Sequence, residues 1–261
     1  MFYDERSLKE ITAKYENIGT TRFELLRRLG ILFSKLTNEK AKEYLMQGAS
    51  RRVNTVTRCL ENIFHIFPIG QTEHLSRPAL TDLGINLHAF FVNTSGLFDN
   101  LGWVFVFEHD LLGQRKLGKQ ERNDVGLFQI ETQKRLPEAL RAYLQSDRLS
   151  DWYSDYSKNY RDALAHRIPL YVPPSIFSPA DRDKYLELEA QLQRLDLTEY
   201  KDLEIYGDIL HQQERLGRPS PWFVHSVGED ARPVFLHAQV IADYATIEEV
   251  VTKYCEHFKQ T

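Results

Sequence analysis

Apolar residues recur at helical spacing through most of the first two-thirds of this chain. Phe23, Leu26, Leu29, Gly30 and Phe33 share one face and predict a helix over about 20–47, which Gly48 would end. Val53, Val56, Leu60, Ile63, Phe64 and Phe67 predict another over 50–66, stopped by Pro68. Pro78 opens a long apolar helix over 80–112. Residues 113–126, rich in Gly, Lys and Arg, read as a loop. Helices over 134–145 and 150–167 follow, and Pro169, Pro173 and Pro174 stop the second. Two caps stand out. Ser7-Leu8-Lys9-Glu10 has the form of a capping box, and Ser178-Pro179-Ala180-Asp181 that of an N-cap followed by proline. Charged helices over 179–195 and 201–216 come next. The period then shifts. Residues 222–227 and 234–241 are aromatic and β-branched around Gly228-Glu229-Asp230, which predicts a hairpin over 221–241. Thr246-Ile247-Glu248-Glu249 looks like the cap of a last helix.

The pattern therefore predicts a mainly α fold, an antiparallel helical bundle with a small C-terminal β-hairpin. Residues 1–170 form the bundle. Residues 171–261 form a helical tail, with the hairpin, packed on the same domain. No internal repeat or low-complexity segment interrupts this reading.

The 80–112 helix is apolar almost all round, which places it at the centre of the bundle. It nevertheless carries two polar rows. His88, Ser95 and Asp99 fall in one narrow stripe; Asn86, Asn93 and Asn100 repeat every seven residues on the far side. A buried polar group without a partner costs about 1–3 kcal/mol, so both rows must find partners. Either the Asn row bonds between helices and sets their register, or one row lines a functional site, with Asp99 its foremost member.

Composition narrows the function classes. The 261 residues are 42 % hydrophobic and 27 % charged, enough for an ordinary core. The net charge of −4 excludes a chain-wide nucleic-acid surface but leaves room for a local basic patch. Residues 111–170 hold 11 basic against 8 acidic side chains, and residues 181–214 hold 4 against 10. Two distant cysteines make neither a disulfide framework nor a zinc cluster. No run approaches the roughly 20 apolar residues of a membrane helix, and residues 1–6 lack a signal-peptide pattern. The expectation is a cytoplasmic protein without membrane contact. No phosphate-binding loop, dinucleotide fingerprint or nucleophile elbow is present, so no cofactor is expected. His225 and His237 could face each other across the hairpin, but no Cys or carboxylate stands beside them to complete a metal site.

The stretch Asn159-Tyr160-Arg161-Asp162-Ala163-Leu164-Ala165-His166-Arg167 carries the most specific chemistry. An Arg followed by His after four to six residues occurs at four places. Arg218/His225 and Arg232/His237 are broken by prolines, and the arginine of Arg58/His65 is followed by Cys59. Only Arg161/His166 combines a helix end with a polar residue, Asp162, directly after the arginine. This stretch resembles the Arg–His motif of the HEPN superfamily, compact α-helical bundles. The resemblance covers about residues 78–170. It implies a metal-independent ribonuclease, commonly dimeric and often a toxin or defence component, or a relative that has lost activity and serves as a binding module. It implies Arg161 and His166 as catalytic residues, with Asp162 and Asp99 in support. Expected partners are RNA, a second copy of the chain, and an antitoxin or regulatory protein.

The residues suit that chemistry. RNA supplies its own nucleophile, the 2′-hydroxyl. An imidazole titrating near neutrality can move protons, and a guanidinium offers a permanently charged fork to phosphate oxygens. The competing reading stays open: Arg and His at a helix C-terminus also cap free carbonyls and complement the helix dipole. Trp152, Tyr153, Tyr156 and Tyr160 precede the motif at helical spacing and suit core packing or base stacking. Residues 119–123 read as a solvated loop.

Overall fold

A computed structural model describes residues 3–113, 125–225 and 233–258. The expected loop at 119–123 and the Gly228-Glu229-Asp230 turn lie outside the described residues. The fold is mainly α-helical with two small antiparallel strand pairs.

Helix α1 spans Glu5–Glu16. Its cap is Asp4, whose carboxylate accepts from the Ser7 amide at 2.7 Å, one turn before the expected Ser7–Glu10 box. Helix α2 (Ile18–Phe33) buries Ile18, Leu25, Leu29 and Leu32, so its inner face is rotated from the predicted one and Phe23 is 68 % exposed.

The helix predicted over 20–47 is broken. Asn38 restarts it by accepting from the Lys40 and Ala41 amides, and the Glu108 carboxylate takes the Thr37 and Asn38 amides at 2.9 and 3.0 Å. Helix α3 (Glu39–Glu43) then passes through a π-helical turn at Tyr44–Ser50 into α4 (Arg51–Ile66). Gly48 is thus inside a rod rather than at its end. It is small because Asn100 lies against it; a Cβ there would stand 2.8 Å from Asn100 Cγ.

Helix α5 (Arg77–Glu108) is the central element, as its all-round apolar pattern predicts. Ser76 caps it and Pro78 sits in its first turn. It buries Leu83, Leu87, Phe90, Phe91, Leu97, Phe98, Leu101 and Phe105. Phe91 meets Tyr160 edge-on and Phe223 at a tilt, with centroids 4.8 and 5.8 Å away. After the short α6 (Ile130–Gln133) and α7 (Glu138–Leu144), a second rod follows: α8 (Asp147–Trp152), a π-helical turn at Tyr153–Lys158, and α9 (Asn159–His166).

Ser178 caps α10 (Pro179–Leu192) as predicted, with Pro179 in its first turn, and Asp181 completes a capping box by accepting from the Ser178 amide. With α11 (Tyr200–Glu214) it makes a mostly exposed helical pair, which explains its acidic composition. Strands β1 (Ser175–Ile176) and β2 (Arg218–Pro219) close the base of that pair.

The hairpin is shorter than expected. Among the described residues of the hairpin β3 (Trp222–Phe223) pairs with β4 (Val234–Phe235), and α12 (Leu236–His257) takes over residues predicted as strand. The physical reason is burial. Leu236, Val240, Ile241, Tyr244, Ile247, Val251 and Tyr254 recur at helical spacing and enter the core. Thr246 is therefore in mid-helix, where its hydroxyl donates to the Ala242 carbonyl rather than capping anything. Tyr254 Oη donates to the Leu101 carbonyl at 2.7 Å, and Tyr244 shares a 2.8 Å bond with Thr57. So α12 is an integral bundle helix, and the core extends past residue 170. His237 sits inside it rather than across a hairpin from His225. Its Nε2 donates to the Phe67 carbonyl at 2.6 Å and Nδ1 accepts from Tyr3 Oη, a neutral tautomer. Burial holds its pKa down at about 4.

Candidate functional site

The two polar rows of α5 meet different neighbours. The Asn row faces α4. Asn86 Oδ1 accepts from Asn62 Nδ2 at 2.9 Å. Asn93 and Asn100 both turn to Arg52: Nε donates to Asn100 Oδ1 at 2.9 Å and Nη1 to Asn93 Oδ1 at 3.0 Å. The interhelical role read from the seven-residue spacing is what this row performs.

The opposite row divides. His88 Nε2 donates to the Leu170 carbonyl at 2.5 Å and ties α5 to the turn after α9. Ser95 and Asp99 instead line a cavity of about 440 Å³, within the range of small-ligand sites. Arg52, Trp103, Gln129 and Arg161 also line it. Arg52 comes from α4 and Arg161 from α9, so the cavity lies between the two rods that flank α5. Each arginine follows shortly after a π-helical turn, at Tyr44–Ser50 and Tyr153–Lys158. One extra residue in a turn rotates everything beyond it by about 100°, which redirects the side chains that follow.

Asp99 is the acidic group among these charges. Burial raises its pKa, while Arg161 and then Arg52 pull it back. Arg161 Nη1 reaches Asp162 Oδ1 at 3.1 Å, and Asp162 also accepts from Lys158 Nζ at 2.7 Å. Arg161 Nε is buried and makes no hydrogen bond among the described residues. Tyr153 stacks on Phe128 at 4.0 Å, and burial pushes its hydroxyl up to about 12, with Asp99 adding to the rise. The aromatic run before the motif is mainly packing. Trp152 Nε1 donates to Asp243 Oδ1 at 2.7 Å, Tyr160 is buried, and Tyr156 is partly exposed.

The structure brings together Arg161, Asp162 and Asp99 but leaves His166 apart. His166 is exposed on the last turn of α9, about 7.5 Å further along the axis than Arg161, and does not line the cavity. Neither Asp162 nor Asp99 bonds to it. Arg52 and Gln129 are cavity residues that the sequence reading did not single out. The one signal pointing at Arg52 is indirect, the Asn row that needed a partner. Among the described residues, no group of His, Cys, Asp and Glu side chains is clustered as a metal site requires, and no helix is long and apolar enough to cross a membrane. No protein-family model, no curated protein and no solved structure matches this chain.

Proposed function

We propose that the cavity holds a phosphate of RNA and that the protein cleaves RNA without a metal ion. Arg161 holds the phosphate and His166 moves the proton. The observation that carries this reading is the placement of Arg161, which lines a 440 Å³ cavity together with Asp99. In the reaction the 2′-oxygen attacks phosphorus and the bond to the 5′-oxygen breaks. The 2′-hydroxyl proton passes through an imidazole to the leaving oxygen. Because His166 stands outside the cavity, the imidazole reaches the phosphate from the helix end of a second copy. Ile85, Val92 and Ile168 are 58, 46 and 51 % exposed, and Ile85 and Val92 extend the cavity stripe along α5, an apolar border suited to a symmetric dimer.

The test is incubation of the purified protein with total RNA in EDTA. Cleavage should persist, and His166→Ala should lower its rate by about 10²-fold or more. Arg161→Ala should weaken cleavage and binding together, and Arg161→Lys should not restore them, because a point charge lacks the planar fork. Light scattering at tens of micromolar should give a dimer mass; a monomer mass would count heavily against the shared site. The exposed position of His166 favours a second reading, a non-catalytic interaction module such as a regulatory or toxin–antitoxin subunit. That reading wins if the wild type cleaves no RNA but binds a protein partner through this face.

A further inference from the structure

We propose that Arg52 is a second phosphate-holding residue of this cavity, preset for the task by Asn93 and Asn100; the proposal rests on the phosphate reading of the site given above. Three observations support it. First, Arg52 lines the cavity and makes no ion pair among the described residues; its two bonds, at 2.9 and 3.0 Å, go to neutral amide oxygens. An amide fixes the plane of a guanidinium without neutralising it, whereas a carboxylate would do both. Second, the two bonds use Nε and Nη1, and Nη2 makes no hydrogen bond among the described residues, which leaves it for a ligand. Third, the guanidinium lies against α5 at Gly96, where any Cβ would collide with Cζ, Nη1 and Nε. The same helix that orients Arg52 carries Asp99, and Arg161 faces it from the other rod. With Lys158, which pairs with Asp162, the two guanidiniums outweigh Asp99 and Asp162 and leave this group of charges net positive, suited to an oxyanion held from two sides.

The plain alternative is that Arg52 only ties α4 to α5. Salt dependence separates the two, since a residue that contacts phosphate contributes to counterion release and a staple does not. Two probes serve: inorganic pyrophosphate, followed by tryptophan fluorescence, and a labelled single-stranded RNA, followed by anisotropy at several salt concentrations. Arg52→Gln keeps an amide donor for the asparagines but removes the charge. It should weaken binding about tenfold or more and reduce the slope of log K against log salt for RNA by about 0.7. Arg52→Lys should keep the slope and recover only part of the affinity. Asn93→Ala should weaken affinity with the slope unchanged, as expected of a positioning residue. Circular dichroism melts identify any variant that fails to fold; should Arg52→Gln do so, Arg52→Lys carries the test through its affinity, which a staple would leave unchanged because the ammonium still donates to the asparagines. If pyrophosphate binding depends on Arg52 but RNA does not bind, the proposal holds and the RNA reading falls. If RNA binds through Arg161 with affinity and slope indifferent to Arg52→Gln, the RNA reading holds and the proposal is overturned. It is also overturned if neither probe binds the wild type.

Discussion

The two polar rows of α5 share one helix and one burial problem, and they solve it in opposite ways. Asn86, Asn93 and Asn100 are answered within the fold by Asn62 and Arg52. Ser95 and Asp99 are left to a cavity, and burial raises the Asp99 pKa. A row whose hydrogen bonds close inside the protein supports stability. A row that faces open space carries a cost that only a ligand relieves, and such local conflicts mark functional positions. Arg52 belongs to both sides, since the structural row holds it and the open row shares its cavity.

The strongest test of that contrast uses a carboxylate with no cavity to face. Asp243 of α12 is closed in on all sides, accepts from Trp152 Nε1 and Gln239 Nε2 at 2.7 and 2.8 Å, and leaves Oδ2 unpartnered. Burial pushes its pKa up to about 7. A folded-state pKa above the unfolded value means the folded form binds the extra proton, so stability falls as pH rises from about 4 to about 7. His237, held down at about 4, acts in the opposite sense below its ordinary 6.5 and flattens the wild-type profile. The difference between Asp243→Asn and wild type isolates the carboxylate. In chemical denaturation that difference should grow in favour of the variant by about 1.4 kcal/mol per pH unit across the window. A flat difference would show that the carboxylate finds a partner there.

The next effect is smaller. Asn93→Ala removes the acceptor of Arg52 Nη1 and should cost about 1–2 kcal/mol in urea unfolding at pH 7. An unchanged midpoint would mean that the Asn row is not structural and would erase the contrast between the rows.

The smallest expected effect has the opposite sign. Asp99→Asn should stabilise the protein by about 0.5 kcal/mol at pH 8, the scale of substitutions outside a closed core. The gain should disappear below the ordinary carboxylate range, where wild-type Asp99 is also neutral. The same variant should tighten pyrophosphate binding, because it removes the carboxylate charge that lines the cavity with Arg52 and Arg161. Destabilisation at pH 8 would place Asp99 with the structural row instead.

Helix α4, the centre of α5 and the α10–α11 pair were legible because apolar period, proline positions and an N-cap serine marked them. Helix α12 was read as strand at its start because Val234, Phe235, Val240 and Ile241 also suit a pleated surface. Val234 and Phe235 do pair as β4, but the burial of Val240 and Ile241 with the α12 face that packs on α1, α2 and α4 settles the matter for helix from Leu236 on. Gly48 looked like a stop because a glycine after a helical run usually is one. Its real role depends on Asn100, fifty-two residues away. Asp99 and Arg161 were legible as site candidates from a polar stripe and a motif. Arg52 was not, since nothing local separates it from the other arginines of its helix.

The sequence by itself determined the helical bundle, the central place of α5 and the existence of two polar rows, because these follow from periodicity and from the cost of burying polar groups. Which row closes and which stays open was decided by tertiary structure alone. Two π-helical turns rotate the flanking rods, and the closing of Arg52 onto Asn93 and Asn100 is a contact between residues more than forty positions apart. Local spacing encodes the faces of one helix. It does not encode how far a neighbouring helix has been turned before it arrives.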